Sequence, residues 1–219
     1  MSALPSQSRY IIGTEACERF SFYGMKSILM LYMTGHLLMS DNWSTSTLHI
    51  FVAMVYLLPL AGAWLADKVW GRYKTILYIS LLYCVGHGVL ATADLSHTIE
   101  ARRYILMAGL FIIALGAGGI KPCVSAFMGD QIPNKSPQLM TKAFNAFYWA
   151  INLGSFFSFL VIPAMEQRYG YSWAFAVPGL FMGVATFVFW LGRKNYHKTP
   201  PARNSGQPGF WKVLFIILF

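Results

Sequence analysis

The stretch "GTEACERFSFYGMKS", residues 13–27, places charged side chains within a long apolar run, Tyr10 to Leu38. A run of this length suits a membrane-spanning helix, which needs about 20 mostly apolar residues. An ionised group at the centre of a bilayer is unfavourable by at least about 2.5–3.5 kcal/mol, so such groups normally face a bundle interior or an aqueous cavity. The stretch therefore predicts a membrane protein with a polar site, and its charged residues are Glu15, Glu18, Arg19 and Lys26.

The composition of the whole chain also indicates a membrane protein. Of its 219 residues, 56% are hydrophobic and 11% are charged, whereas soluble domains have about 25% charged residues. The apolar residues form six complete blocks near spanning length, separated by short polar stretches. We predict an all-α membrane protein with six spanning helices, at about Tyr10–Leu38, Thr47–Ala66, Tyr73–Thr92, Tyr104–Met128, Ala143–Met165 and Ala174–Gly192.

The last part of the sequence predicts a boundary between two units. Residues 1–192 are expected to form a transmembrane six-helix bundle, and the polar stretch 193–209, with "KTPPARNSGQP", is expected to be a cytoplasmic linker. The apolar stretch 210–219 is too short to span a bilayer. We interpret it as the start of a seventh helix in an incomplete chain, so a missing carboxy-terminal helical half is an expected partner.

The distribution of the formal charge of +9 indicates how the chain is oriented in the membrane. If the amino terminus is cytoplasmic, eleven Lys and Arg residues lie on the cytoplasmic side and three on the other. This is the positive-inside bias of an integral membrane protein, and it argues against a nucleic-acid partner. The three cysteines lie in apolar blocks without disulfide or metal-site spacing. We expect no metal, no cofactor and no enzymatic activity, since catalytic pairs of side chains are also absent at suitable spacings.

Two carboxylates and three cations remain inside the predicted spans. Glu15 and Arg19 are four residues apart and can pair on one helix face, which leaves Glu18 free for another helix. Lys121, in the middle of the fourth helix, is expected to contact one of these carboxylates. With Lys26, the set has a surplus positive charge that suits an anionic substrate group. The alternative is a buried ion network without a functional role.

Polar residues on other helices are further candidates. His49 and Tyr56 are seven residues apart and share a face of the second helix. In the fifth helix, Tyr148 and Asn152 are one turn apart, and an amide inside a bundle can both donate to and accept from a peptide bond. A structural histidine and an asparagine that joins two helices are the alternatives.

Charged residues also cluster where the helices enter the cytoplasm. Asp67 and Arg72 flank the turn after the second helix, and Asp130 ends the fourth helix. Such charges can hold one conformation of a helix bundle through ion pairs that break when its parts move, so we interpret them as gating residues. The alternative is positive-inside anchoring, which accounts for neighbouring Lys74 and Lys68.

Four motifs resemble one family. "EACERFSFYG" resembles the ExxER signature of the proton-dependent oligopeptide transporters, which belong to the major facilitator superfamily. "MVYLLPLAGAWLADKVWGRYKT" is similar to that family's second helix and to the superfamily's loop motif after it. "GAGGIKPCVSAFMGDQ" and "FNAFYWAINLGSF" are similar to its fourth-helix and fifth-helix signatures. The motifs occur in the right order and cover almost the whole chain.

The resemblance implies the amino-terminal six-helix bundle of a major facilitator fold. It implies proton-coupled symport of di- and tripeptides by alternating access, across the plasma (inner) membrane into the cytoplasm. The implied proton-coupling residues are Glu15, Glu18, Arg19, His49 and Lys121, with Lys121 as the salt-bridge partner of the cluster. The implied substrate-binding residues are Arg19, Tyr23, Lys26, Tyr56, Lys121, Tyr148 and Asn152, among which Arg19 and Lys26 would hold the peptide carboxyl group.

Two positions depart from the family pattern. Phe22 stands where many members have a tyrosine, so one hydroxyl is absent. Lys26 stands where many have an arginine, and a lysine does not bind a carboxylate through two parallel hydrogen bonds. Two other functions stay open: proton-coupled transport of another small anion, such as nitrate or an organic acid, and peptide sensing without transport.

Overall fold

The computed structural model describes residues 3–201, and every regular element within them is helical. The predicted all-α fold is therefore confirmed. The six long helices are α1 (Ser8–Leu31), α2 (Asp41–Trp70), α3 (Arg72–Thr92), α4 (Ile99–Asp130), α5 (Pro137–Tyr169) and α6 (Tyr171–Leu191). Because their connections are short, successive helices run antiparallel, and α1 and α3 therefore point in the same direction.

Five of these helices, α2 to α6, are long and apolar enough to cross a membrane. Helix α1 has 24 residues but is less apolar, because charged side chains are distributed along it. It nevertheless lies inside the bundle, where it packs on α5 and α6, while α3 packs on α4 and α6. We treat α1 as the sixth span. Helices α2 and α5 are the least buried of the other five, and α4 is the most buried.

Local sequence features explain where the helices begin. The side chains of Ser40 and Thr98 accept hydrogen bonds from backbone N–H groups in the first turns of α2 and α4. Gly71 separates α2 from α3, and Gly170 separates α5 from α6. Both glycines have a positive φ, 78° and 82°, which side chains rarely adopt. The helices therefore reverse direction across single residues.

Glycines bring α4 close to its neighbours, as the "GAGG" stretch predicts. A Cβ added to Gly62 of α2 would lie 2.6 Å from the Cα of Gly119. A Cβ added to Gly116 would lie 2.5 Å from the Cβ of Tyr83 on α3. Small residues of this kind let membrane helices approach backbone to backbone. Helices α2 and α3 can therefore pack closely on α4 because these glycine positions have no side chain.

The helix bounds differ from the predicted ones mainly at the ends. Helix α1 changes to a π-helical turn at Tyr32–His36 before the predicted end at Leu38. Helices α2, α4 and α5 extend beyond their apolar blocks at both ends, because polar and charged residues continue the helices there. Helices α3 and α6 lie within three residues of their predicted bounds. The first part of the predicted linker packs against the bundle: His197 and Gln131 exchange hydrogen bonds of 3.0 and 2.8 Å. The end of that linker and the predicted seventh helix, 210–219, lie outside the described residues.

Candidate functional site

Three charged residues of α1 form a compact buried cluster. Arg19 Nε lies 2.6 Å from Glu15 Oε1 and 3.0 Å from Glu18 Oε2. Glu15, Glu18 and Arg19 are only 3%, 2% and 8% exposed. Arg19 donates a hydrogen bond to Glu15, the predicted partner one turn earlier. One guanidinium is thus shared by two carboxylates, so the cluster itself has a negative charge when both are ionised.

The prediction that Glu18 diverges from Arg19 and does not pair with it is wrong, because the two side chains form an ion pair. Side chains on a helix lean toward its amino terminus, so the long Arg19 side chain reaches back beside its neighbour. Both Glu18 carboxyl oxygens are nevertheless buried and without a hydrogen-bond partner among the residues described. Glu18 is therefore paired in charge but retains unused acceptor capacity.

Lys121 of α4 faces this cluster but binds differently from the prediction. Its Nζ lies 4.9 Å from the ring centre of Phe22 and 5.0 Å from that of Tyr56. Within residues 3–201 it forms no ion pair, so the predicted salt bridge to Glu15 or Glu18 is not present. The rings of α1 and α2 surround the ammonium group, and each cation–π contact contributes about 0.5–2 kcal/mol. Lys121 still interacts electrostatically with Glu18, Glu15 and Arg19.

The predicted substrate residues of α2 and α5 lie on open faces of the bundle. Tyr56 and Tyr148 are 71% and 67% exposed. Asn152 is also exposed, and its amide nitrogen donates to the carbonyl of Tyr148 at 2.9 Å. Tyr148 and Asn152 line a shallow pocket of 370 Å³ with Asn145 and Trp149. The amide carbonyl and the two phenol hydroxyls are thus accessible to a ligand.

Tyr23 connects this surface to α1. Its ring is half-buried, 5.5 Å from the ring of Phe22 and 6.1 Å from that of Phe159 on α5. Asn152 and Phe159 are seven residues apart and share a face of α5. Lys26 follows Tyr23 by three residues and is half-buried. Tyr23 and Lys26 therefore continue the charged face of α1 toward the exposed residues of α5.

His49 stands alone on α2. It is exposed, and the described part of the chain provides it with no hydrogen bond or ion pair. It shares a helix face with Tyr56, two turns away. Its part in proton transfer therefore stays a prediction.

The predicted gating residues meet at one end of the bundle. Arg72 Nη1 donates to both carboxylate oxygens of Asp130, each at 2.7 Å. Asp67 is more distant, 3.7 Å from Arg72 Nη2. These contacts connect the end of α2, the start of α3 and the end of α4. The hydroxyl of Thr199 also lies 3.5 Å from Asp130, so the segment after α6 reaches the same cluster.

Two histidines without a predicted partner have specific contacts. His87 Nε2 lies 2.9 Å from the hydroxyl oxygen of Ser21, and both residues are fully buried. At the end of the bundle opposite Arg72 and Asp130, His36 contacts Asp94 and Arg102. These partners are 58–66 residues apart in sequence, so spacing alone does not predict them. No group of three metal-ligating side chains occurs among the described residues.

Comparison with known proteins identifies the family. The profile of the POT family matches residues 73–219. Solute carrier family 15 member 2 of Homo sapiens is 42% identical over 99% of this chain and 31% of its own length. Peptide transporter family 1 of Drosophila melanogaster is 42% identical over 91% of this chain and 28% of its own length. The chain thus spans less than one third of these relatives.

Solved structures agree with this assignment. The POT family transporter PepTSo has a TM-score of 0.84 and 42% identity, covering 99% of this chain and 46% of its own. An auto-inhibited POT family peptide transporter has a TM-score of 0.84 and 46% identity, covering 92% and 40%. The six helices described above therefore form the amino-terminal half of a multi-pass transporter fold. This chain belongs to the POT family, as its four motifs indicated.

Proposed function

We propose that the protein containing this chain imports di- and tripeptides into the cytoplasm by proton-coupled symport. The observation that carries the proposal is the buried cluster in which Arg19 is held by Glu15 and Glu18, with Lys121 facing it from α4. The names of the Drosophila melanogaster relative and of the auto-inhibited transporter support peptides as the substrate class. The cluster supports coupling, because its charge changes when a carboxylate is protonated.

The proposed coupling step is a change of partner for Arg19. When Glu15 or Glu18 takes a proton in the outward-facing state, it releases part of its hold on the guanidinium. Arg19, Lys121 or Lys26 then binds the peptide carboxylate, and charge-assisted hydrogen bonds of this kind are the stronger ones. Opening to the cytoplasm lets the proton leave, the carboxylate recovers its cation, and the peptide is released. Proton and peptide thus bias the same conformational equilibrium.

The remaining candidate residues supply the rest of the proposed peptide site. The Asn152 amide hydrogen-bonds the peptide backbone, and Tyr23, Tyr56 and Tyr148 line the pocket. These groups are exposed on α1, α2 and α5 in this half-transporter. A carboxy-terminal helical half covers them, because substrate sites of such transporters lie between two repeats that move against each other. His49, on the same open face of α2, is a further proton-binding candidate.

The proposed gating role concerns the cytoplasmic ends of the helices. Arg72 and Asp130 hold α3 to α4, and Asp67 adds a weaker contact from α2. These paired helix ends give the other half of the transporter a defined surface to contact when the transporter closes to the cytoplasm. We place the protein in the plasma (inner) membrane, as the family resemblance implies. We place its amino terminus in the cytoplasm, because the basic residues concentrate on that side. Protons are its only proposed coupling ion, without a cofactor.

Uptake into liposomes tests the proposal. The full-length protein should accumulate a labelled dipeptide when an inside-alkaline gradient is imposed. Glu18→Gln should lose accumulation against a gradient, whereas Glu100→Gln, at an exposed position of α4, should retain it. Normal accumulation by Glu18→Gln would exclude Glu18 as the essential coupling residue. Absence of gradient-driven uptake by the unmodified protein would contradict the proposed function itself.

A second candidate function is transport of another small anion. The three intramembrane cations, Arg19, Lys26 and Lys121, outnumber the two carboxylates of α1 and suit any small anionic group. Competition of nitrate or an organic acid with dipeptide uptake in the same liposomes distinguishes the two. Peptide binding without uptake would instead indicate a sensor.

A further inference from the structure

Helix α3 directs a row of buried polar side chains into the bundle. Ser80, Tyr83 and His87 are three and four residues apart and share one helix face. They are 1%, 0% and 0% exposed. The Ser80 hydroxyl, the Tyr83 hydroxyl and His87 Nδ1 have no hydrogen-bond partner in the part of the chain that the structure describes. Buried polar groups are almost always hydrogen-bonded, so this row requires a partner.

One contact sets the register of this row against α1. His87 Nε2 lies 2.9 Å from the hydroxyl oxygen of Ser21. Because α1 and α3 point in the same direction, one turn back from this contact brings Glu18 on α1 level with Tyr83 on α3. Tyr83 indeed interacts electrostatically with Glu18 and Arg19. The helix register thus places a phenol hydroxyl beside the carboxylate cluster.

Tyr83 is held firmly at this level. Gly116 of α4 packs on its Cβ so closely that an added Cβ would lie 2.5 Å away. Its ring stacks on the imidazole of His87, with ring centres 5.0 Å apart and planes 21° apart. Neither contact involves the hydroxyl. The ring is therefore fixed by packing, and the hydroxyl is available for a specific partner.

Glu18 is a matching partner. The charged groups that act on its carboxyl are Arg19 and Glu15 from α1 and Lys121 from α4. Tyr83 and His87 of α3 are the titratable groups on the adjoining face, and α5 and α6 add none to this set among the described residues. Both Glu18 oxygens lack a hydrogen-bond partner within residues 3–201. A carboxylate only accepts, and a phenol donates, so the two unpaired groups are complementary.

We propose that Tyr83 is a positioning residue for Glu18. The Tyr83 hydroxyl donates a hydrogen bond to the Glu18 carboxyl group, directly or through one bridging water, and thereby sets how readily Glu18 takes a proton. A donor stabilises the ionised carboxylate, so removing it makes Glu18 bind its proton at higher pH. The link to transport rests on the proposed function, whereas the hydrogen bond does not.

The pH dependence of uptake tests the inference. In the full-length protein, Tyr83→Phe keeps the packed ring and removes only the hydroxyl. The external pH of half-maximal dipeptide uptake should shift upward by about one unit, the size expected for one hydrogen bond to a charged group. Uptake at low pH should be retained. Tyr78→Phe, on the same helix but 48% exposed, should leave the midpoint unchanged.

Two outcomes would overturn the inference. One is a Tyr83→Phe midpoint equal to that of the unmodified protein. The other is a uniform loss of uptake at every pH without a shift, which is the result of a merely structural role.

An infrared measurement provides a second readout that needs no transport, and its decisive arm, on the unmodified protein, needs no Tyr83 variant. The carbonyl band that disappears in Glu18→Gln reports protonated Glu18 in the unmodified protein. Its frequency should be that of a hydrogen-bonded acid, and it should move toward the frequency of a free acid in Tyr83→Phe. A free-acid frequency in the unmodified protein would overturn the inference. If the proposed function is wrong and the inference is right, gradient-driven uptake will be absent while the infrared result is still obtained.

Discussion

Arg72 Nη1 contacts both carboxylate oxygens of Asp130 at 2.7 Å, although the two residues are 58 positions apart in sequence. The pair joins the start of α3 to the end of α4. Asp130 is 15% exposed and Arg72 is 31% exposed, so water still screens the pair. Such ion pairs contribute about 0–1 kcal/mol to stability. The contact therefore matters more for holding the ends of α3 and α4 in a fixed relative position than for the free energy of unfolding.

We predict that Arg72→Gln alters transport more than stability. The unfolding temperature of the purified protein should change little, because the lost free energy is at most about 1 kcal/mol. The maximal rate of dipeptide uptake should fall, since the paired ends of α3 and α4 lose their fixed arrangement. Lys74→Gln, at an exposed position two residues further along α3, is the matched control and should behave like the unmodified protein. An unchanged uptake rate for Arg72→Gln would show that the pair is only an anchor.

A second prediction concerns the ammonium group of Lys121. If it binds the peptide carboxylate, Lys121→Gln should weaken dipeptide binding by about 1.5–3 kcal/mol, roughly ten- to a hundredfold in Kd. Calorimetry on the purified full-length protein measures this change. A carboxy-amidated dipeptide should bind the two proteins with similar Kd, because it lacks the anionic group. Equal losses for both peptides would place Lys121 in a structural role over the rings of Phe22 and Tyr56.

The charged site was predictable because intramembrane charges are rare and need partners. The spacing of Glu15 and Arg19 correctly predicted their pairing. The error at Glu18 arose because angular positions around a helix describe Cα directions, whereas an arginine side chain reaches over neighbouring positions. The partner of Lys121 was not predictable from charge alone, because its position over Phe22 depends on the packing of α4 against α1.

Contacts between side chains of different helices cannot be predicted from sequence spacing, because they form only when the helices pack. Ser21 and His87 are 66 residues apart, and only the packed bundle brings them to 2.9 Å. One signal was nevertheless present in the sequence. Ser80, Tyr83 and His87 recur at helical spacing within an apolar block, which indicates a polar stripe directed at another helix. The stripe indicates that partners exist, whereas the structure identifies Ser21 as one of them.

The close approach of α2 and α4 leads to a third prediction. A Cβ at position 62 would lie 2.4 Å from the carbonyl oxygen of Gly119, which is backbone and has little room to move. Gly62→Ala should therefore destabilise the protein by about 1–3 kcal/mol, as overpacking does. Thermal unfolding in detergent measures this. Gly183→Ala, where nothing lies within 4 Å of the added Cβ, should leave stability unchanged or raise it. Equal unfolding temperatures for both variants would contradict the close contact.

The last prediction concerns His49, which differs from the α1 cluster in its surroundings. Glu18 is 2% exposed and ion-paired with Arg19, whereas His49 is exposed on α2. If His49 transfers protons, His49→Gln should reduce gradient-driven uptake by about a hundredfold, the lower end of the range for a proton-transferring side chain. Exchange of labelled for unlabelled dipeptide across the membrane, without a gradient, should persist because it requires no net proton movement. His97→Gln, at an exposed position outside the spans, is the control. Parallel losses of uptake and exchange would instead place His49 in peptide binding, and normal values of both would leave proton coupling to the carboxylates of α1.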